Sequence, residues 1–114
     1  MATATVVKPQ TVAKAIKAQR YAALRLKRAQ RAAILLKQVS DPTRLQIILM
    51  LADGEKHAGG IGKTLKQRQP ATSHHLALLR LSGIIVPRRQ GKNNFYALTE
   101  TGERLASIIK HLIG

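Results

Sequence analysis

At 114 residues the chain suits one domain with a single compact core. Hydrophobic residues make up 45% of it but aromatics only 3%, so the core must be aliphatic, which favours helix packing over a β-sandwich. Twenty Lys and Arg against five Asp and Glu give a formal net charge of +15, which calls for a polyanionic partner, with nucleic acid ahead of an anionic membrane surface, and the lack of Cys excludes disulfides, thiolate metal sites and thiol redox sensing.

The charge is uneven. Residues 1–40 carry nine basic side chains and no acid; all five carboxylates follow, beginning at Asp41. Residues 1–10 are expected to be a flexible N-terminus. Apolar side chains at Val12, Ala15, Ile16, Ala22, Ala23, Leu26, Ala29, Ala33, Leu36 and Val39 recur at steps near three and four, with Lys and Arg between them. That pattern predicts one long helix or two shorter ones over 11–39, a basic extension ahead of a globular domain at 40–114. The extension reads first as a dimerisation helix with a wet basic face, alone or combined with an arm on DNA phosphates, and behind these as a membrane-surface or targeting helix. Asp41-Pro42 caps and starts a helix over 42–52, with Leu45, Ile48 and Leu49 inward, and Asp53-Gly54 stops it.

A short helix is expected over 61–67, with Leu65 inward, then a turn at Arg68-Gln69-Pro70. The next helix runs over 70–81, with Leu76, Leu79 and Ala77 against the core, and ends at Gly83. Residues 84–90 and 94–98 read as two strands joined by a Gly91-Lys92-Asn93 turn. Thr99 caps a last helix, with Glu100 and Glu103 in its first turn and Leu105, Ile108, Ile109 and Leu112 as its apolar stripe. The fold class is α+β and mainly helical, a winged helix-turn-helix behind a long N-terminal helix. The longest apolar run, 47–52, is too short for a membrane span, and no secretion signal is evident, so the expected location is the cytoplasm without membrane contact.

Two helices joined by a tight turn and followed by a basic hairpin suit duplex DNA, because the major groove admits one helix and its N-terminal residues reach base edges. Here the polar groups of that helix are Gln69, Thr72, Ser73, His74 and His75, with no acid among them. The Gln69 amide is suited to two-pronged pairing with adenine. Arg88, Arg89 and Lys92 put three cations near the hairpin tip, suited to phosphate or minor-groove contact.

Other chemistry is poorly supported. His74 and His75 are adjacent, so a helix points them in different directions, which favours DNA contact or packing over a metal pair. His57, His111 and Glu103 could meet only across a dimer, and lone histidines seldom ligate, so this is the weaker reading. Gly59-Gly60-Ile61-Gly62-Lys63-Thr64 looks like the end of a phosphate loop, but His57 stands where that motif needs its first Gly. No catalytic triad is discernible, no enzyme activity is expected, and neither is a resident cofactor or metal.

Six blocks in order, Ser40-Asp41-Pro42-Thr43-Arg44-Leu45, Leu51-Ala52-Asp53-Gly54-Glu55, Gln69 through Arg80, Ser82-Gly83-Ile84-Ile85, Arg88 through Lys92, and Tyr96-Ala97-Leu98-Thr99, resemble successive signatures of the ArsR/SmtB repressors. The resemblance covers about residues 34–105. It implies a homodimer joined through its first and last helices that represses transcription from an inverted-repeat operator. It also implies recognition-helix roles for Gln69, Ser73, His74 and His75, and wing roles for Arg88, Arg89 and Lys92. That family usually carries an apolar residue where Thr72 stands, and its cysteine metal motif is absent, which leaves the inducer, metal or small molecule, open. Two rival readings fit the same charge and helices: a winged helix that binds DNA or RNA without sequence preference, and a protein-interaction module.

Overall fold

A computed structural model describes residues 6–114. In chain order its elements are α1 (Pro9–Val39), α2 (Pro42–Ala52), β1 (Lys56–His57), α3 (Ala58–Leu65), α4 (Gln69–Leu81), β2 (Ile85–Gln90), β3 (Asn93–Leu98) and α5 (Glu100–Ile113). The chain divides into two units, Met1–Ile34 and Leu35–Gly114. Of the expected flexible N-terminus, residues 1–5 lie outside the described part, and Pro9 and Gln10 are already helical.

In the first unit α1 is one unbroken helix rather than two, and every described side chain up to Ile34 is exposed. Eight alanines between positions 13 and 33 favour the helical state, since Ala loses no side-chain entropy on ordering.

The second unit begins inside the last turns of α1, where Val39 is buried and Leu35 packs against the same core. Asp41 is the N-cap of α2: its side chain accepts from the Arg44 backbone N–H at 2.9 Å, with Pro42 in the first turn. Ile47, Ile48 and Leu51 are the buried residues of α2, while Leu45 and Leu49, expected inward, are half-buried. The reason is placement. The helix is packed on several sides, by α4, α5 and β3, so its buried face is wider than a surface helix's stripe.

The Arg44 N–H holds the Asp41 carboxyl below its usual value near 3.8, desolvation opposes this, and the charges of Arg44 and His75 add to the lowering. Asp41→Ala is expected to cost about 1 kcal/mol of stability at neutral pH. Because the folded pKa is the lowered one, that contribution is fully present above the unfolded value and disappears as pH falls through the folded one. Thermal melts of the two proteins should therefore converge as pH drops below 3.8.

Three antiparallel strands lie in the order β1-β3-β2. In the hairpin Ile85 faces Leu98 and Gln90 faces Asn93, so the turn is Gly91-Lys92, with Gly91 at φ 61 and the positive φ confined to that first position, the II′ pattern that matches strand twist. β1, which pairs Lys56 with Tyr96 and His57 with Phe95, has no counterpart among the expected elements. Thr99 caps α5 by accepting from the Gly102 N–H at 3.1 Å, and its own N–H donates to the Ile84 carbonyl at 3.0 Å. Only glycine fits at 102, because a Cβ there would strike that carbonyl oxygen. The core is aliphatic, as composition requires: Ile47, Ile48, Ile61, Leu79, Ile84 and Ile85 are fully enclosed. On α5, Leu105 is buried and Ile109 half-buried, whereas Ile108 and Leu112 are 59% and 81% exposed. Among the described residues no helix is long and apolar enough to cross a membrane.

Candidate nucleic-acid interface

The turn between α3 and α4 is tight because Lys66 takes the left-handed conformation at φ 54, which lets the Gln67 N–H return to the Gly62 carbonyl at 3.0 Å. Gln67 Nε2 donates to Thr43 Oγ1 at 3.3 Å, tying the turn to α2. The helices approach closely at Gly62, where an added Cβ would lie 3.0 Å from Thr72 Oγ1. Helix α3 starts at Ala58, three residues ahead of expectation, so its glycines lie inside the helix, and Ile61 and Gly62 are its buried residues.

Helix α4 is seated by Thr72, Leu76 and Leu79, all buried. That seating leaves Gln69, Ser73 and His74 exposed. Thr72 does not belong with them. It is 3% exposed, its hydroxyl reaches only the Arg68 carbonyl at 3.4 Å, and as a core residue against Gly62 it has no face for DNA. Its spacing of four and seven from Leu76 and Leu79 is the reason. Ala77, expected inward, falls on the exposed side. Thr72→Val should leave DNA affinity unchanged and shift stability by no more than about 1 kcal/mol, as read by duplex titration and urea unfolding. A tenfold or larger loss of affinity in a folded Thr72→Val protein would put that hydroxyl on the DNA after all.

His75 also turns away from the exposed ridge. Its side chain is 17% exposed, Arg44 Nη1 lies 3.2 Å from its Nδ1, and Asp41 Oδ2 lies 3.8 Å away. It ties the recognition helix to the start of α2.

On the wing the three cations differ. Arg88 is committed: Nε donates to Glu55 Oε2 at 2.9 Å, Nη2 to Oε1 at 2.5 Å, and the guanidinium lies 5.0 Å from the centre of the Phe95 ring. The paired charges push Glu55 below and Arg88 above their ordinary values through this shared hydrogen bond. This two-pronged pair braces the wing against the segment after α2 and engages Nε and Nη2 of the guanidinium, while Nη1 donates to Gln90 Oε1 at 3.2 Å. Arg89 donates only to the Gly91 carbonyl, at 3.2 Å, and is exposed; Lys92 is exposed at the turn. His57 Nε2 lies 3.2 Å from Asn93 Oδ1, and its ring meets Phe95 edge-on, so β1 props the wing from the other side.

Three further cations, Lys63, Lys66 and Arg68, are exposed around the helix-turn-helix elbow. They are not among the residues that sequence reasoning singles out, although three basic residues within six positions is the available signal. Arg68 precedes the α4 N-terminus, where free N–H groups already favour an anion. No group of three or more His, Asp or Glu side chains among the described residues is placed to hold a metal ion.

Two helices at a tight elbow, a buried anchor row, an exposed polar ridge and a braced basic hairpin define a winged helix-turn-helix DNA-binding domain. Residues 41–86 match the model of the bacterial regulatory proteins of the arsR family. The chain is 42% identical over 86 residues, 75% of its length and 72% of the other's, to the biofilm growth-associated repressor of Agrobacterium fabrum. It is 39% identical over 75 residues to the transcriptional activator HlyU of Vibrio cholerae, covering 66% of this chain and 69% of that one. The reduced HlyU structure superposes with a TM-score of 0.71 at 33% identity, over 75% of this chain and 92% of that one. The homodimeric winged helix-turn-helix domain of Mb0332 from Mycobacterium bovis matches with a TM-score of 0.70 at 27% identity, over 82% of this chain and 84% of that one. The chain belongs to the ArsR family and is a DNA-binding transcriptional regulator.

Proposed function

We propose that the chain is a homodimeric repressor that reads an inverted-repeat operator with Gln69, Ser73 and His74 and grips the phosphate backbone with Arg89 and Lys92. The observation that carries this reading is the exposed, acid-free ridge at the start of α4, on a helix whose opposite face is fixed in the core. Amide, hydroxyl and imidazole groups at that end of a helix are suited to base edges, while the wing cations supply sequence-independent affinity. Arg68 and Lys66 join in holding the backbone, and Arg88 serves by keeping the wing in place.

What α1 and α5 leave uncovered supports dimerisation through these helices. Ile108, Leu112 and Ile113 on α5, and Ile16, Leu26 and Ile34 on α1, are large apolar side chains without cover. A soluble chain seldom displays so many unless a second copy buries them. The homodimeric state of the Mycobacterium bovis domain supports the same reading. Repression is supported by the Agrobacterium relative and by the relatives from Escherichia coli and Bacillus subtilis, all named as repressors, against the activator HlyU of Vibrio cholerae. Such a protein acts where the chromosome is, in the cytoplasm.

Selection of duplexes from a random pool by the full chain, followed by sequencing, tests the reading. Enrichment of one palindrome with half-sites a helical turn apart is expected, and a promoter carrying it should fall silent when the protein is expressed. Enrichment of no sequence, or equal capture of RNA, would favour a winged helix that binds nucleic acid without preference.

A further inference from the structure

Eight of the twenty Lys and Arg, and none of the five acids, lie in residues 1–34, outside the unit that carries α4 and the wing. At about 100° per residue, the seven cations from Lys14 to Arg31 fall within one arc of about 160° on α1, and Val12, Ile16, Ala22, Leu26 and Ala29 fall opposite. All seven are exposed. The ion pairs among the described residues join Asp41 to His75, Glu55 to Arg88 and Glu100 to Arg104, so none neutralises this face. Like charges also meet at neighbouring turns, Lys14 with Lys17, Lys17 with Arg20, Arg28 with Arg31 and Lys27 with Arg31, each pair destabilising the helix. A merely solvated face would mix signs.

We propose that the cationic face of α1 lies along the phosphate backbone of duplex DNA flanking the operator, a second point of attachment separate from α4 and the wing; it rests on the reading of the chain as an operator-binding dimer. From Lys14 to Arg31 the face runs about 26 Å at 1.5 Å per residue, long enough to meet several phosphates of a duplex that places one charge about every 1.7 Å of axis. The opposite, apolar arc stays available for a second copy. An anionic bilayer is the weaker partner, because Gln19 and Gln30 interrupt that apolar arc and α1 has no Trp or Phe to insert.

The test uses the full chain with Lys14→Gln, Lys17→Gln, Arg25→Gln and Arg28→Gln together, since Gln keeps helix propensity. Circular dichroism checks the helix, and Arg25→Lys/Arg28→Lys serves as the charge-preserving control. Affinity is measured across a salt series for two duplexes with the same selected operator, one trimmed to its edges and one with about 15 base pairs of flank on each side. The wild type and the Lys control should hold the flanked duplex about tenfold more tightly or better, with a salt slope steeper by about 0.9 for each further phosphate neutralised. The Gln variant should lose that preference yet match the wild type on the trimmed duplex. Identical behaviour of variant and wild type on both duplexes overturns the proposal, as does wild-type sedimentation with phosphatidylglycerol vesicles when flanks bring no gain. If Arg89→Ala/Lys92→Ala weakens binding while the α1 variant changes nothing, the operator reading stands and this inference falls. If the wild type holds neither duplex in a salt-dependent way, both fall.

Discussion

Leu79→Ala will cost about 2–5 kcal/mol of unfolding free energy, the range for a fully buried leucine whose cavity is only partly refilled. Leu79 is 0% exposed and anchors α4 in a core shared with Ile47, Ile48, Ile61, Ile84 and Ile85. Its carbonyl also accepts the Ile84 N–H at 3.0 Å, so the same residue fixes where the recognition helix ends and the wing begins. Against a total stability of about 5–15 kcal/mol for a domain, the loss is visible as a lower urea midpoint with an unchanged slope. DNA affinity should fall further than the unfolded fraction alone explains, because a loosened α4 no longer presents Gln69 and Ser73 in register. Leu81→Ala is the control: that side chain is exposed, and its removal should leave both quantities nearly as they were.

The second large effect separates grip from reading. Arg89→Ala/Lys92→Ala will weaken binding to the selected operator and to scrambled DNA by the same factor, and will flatten the plot of log affinity against log salt by about 0.9 for each phosphate left unneutralised. Arg88→Ala should act differently. It breaks the pair with Glu55 and uncovers Phe95, so its defect should be reproduced in good part by Glu55→Gln, which removes no cation. Matching losses in Arg88→Ala and Glu55→Gln would mark a bracing role. A loss confined to Arg88→Ala would mean that this guanidinium touches phosphate itself.

Local signals in the chain are legible, and long-range ones are not. Asp41-Pro42, Gly91-Lys92 and Thr99 each carry their own reason to cap or turn, within four residues, and the structure places α2, the wing turn and α5 accordingly. β1 has two residues, too few for any period, and exists only because β3, some forty positions on, supplies its partner. The early start of α3 is hidden because Gly59 and Gly60 argue against helix, and it is the close fit of Gly62 to Thr72 that keeps the helix in place.

The site shows the same division. Gln69, Ser73 and His74 are legible as exposed polar positions on a helix whose inward row is plain from Leu76 and Leu79. Thr72 belongs to that row by spacing, but its hydroxyl makes it look like a DNA-facing residue. Arg88 and Arg89 are indistinguishable as neighbours in sequence; what separates them is Glu55, thirty-three positions away from Arg88. His75 likewise differs from His74 only through Arg44, thirty-one positions back. Composition reveals that cations exist, and tertiary structure decides which are free.

If the start of α4 reads bases, removing its first polar side chain must change sequence discrimination. The direct measurement is the affinity of wild type and Gln69→Ala for the selected operator and for its three single-base variants at each position. Gln69→Ala should flatten discrimination at one base pair in each half-site, by about 1–3 kcal/mol, and leave the other positions as they were. Uniform weakening at every position, with wild-type discrimination intact, would contradict it.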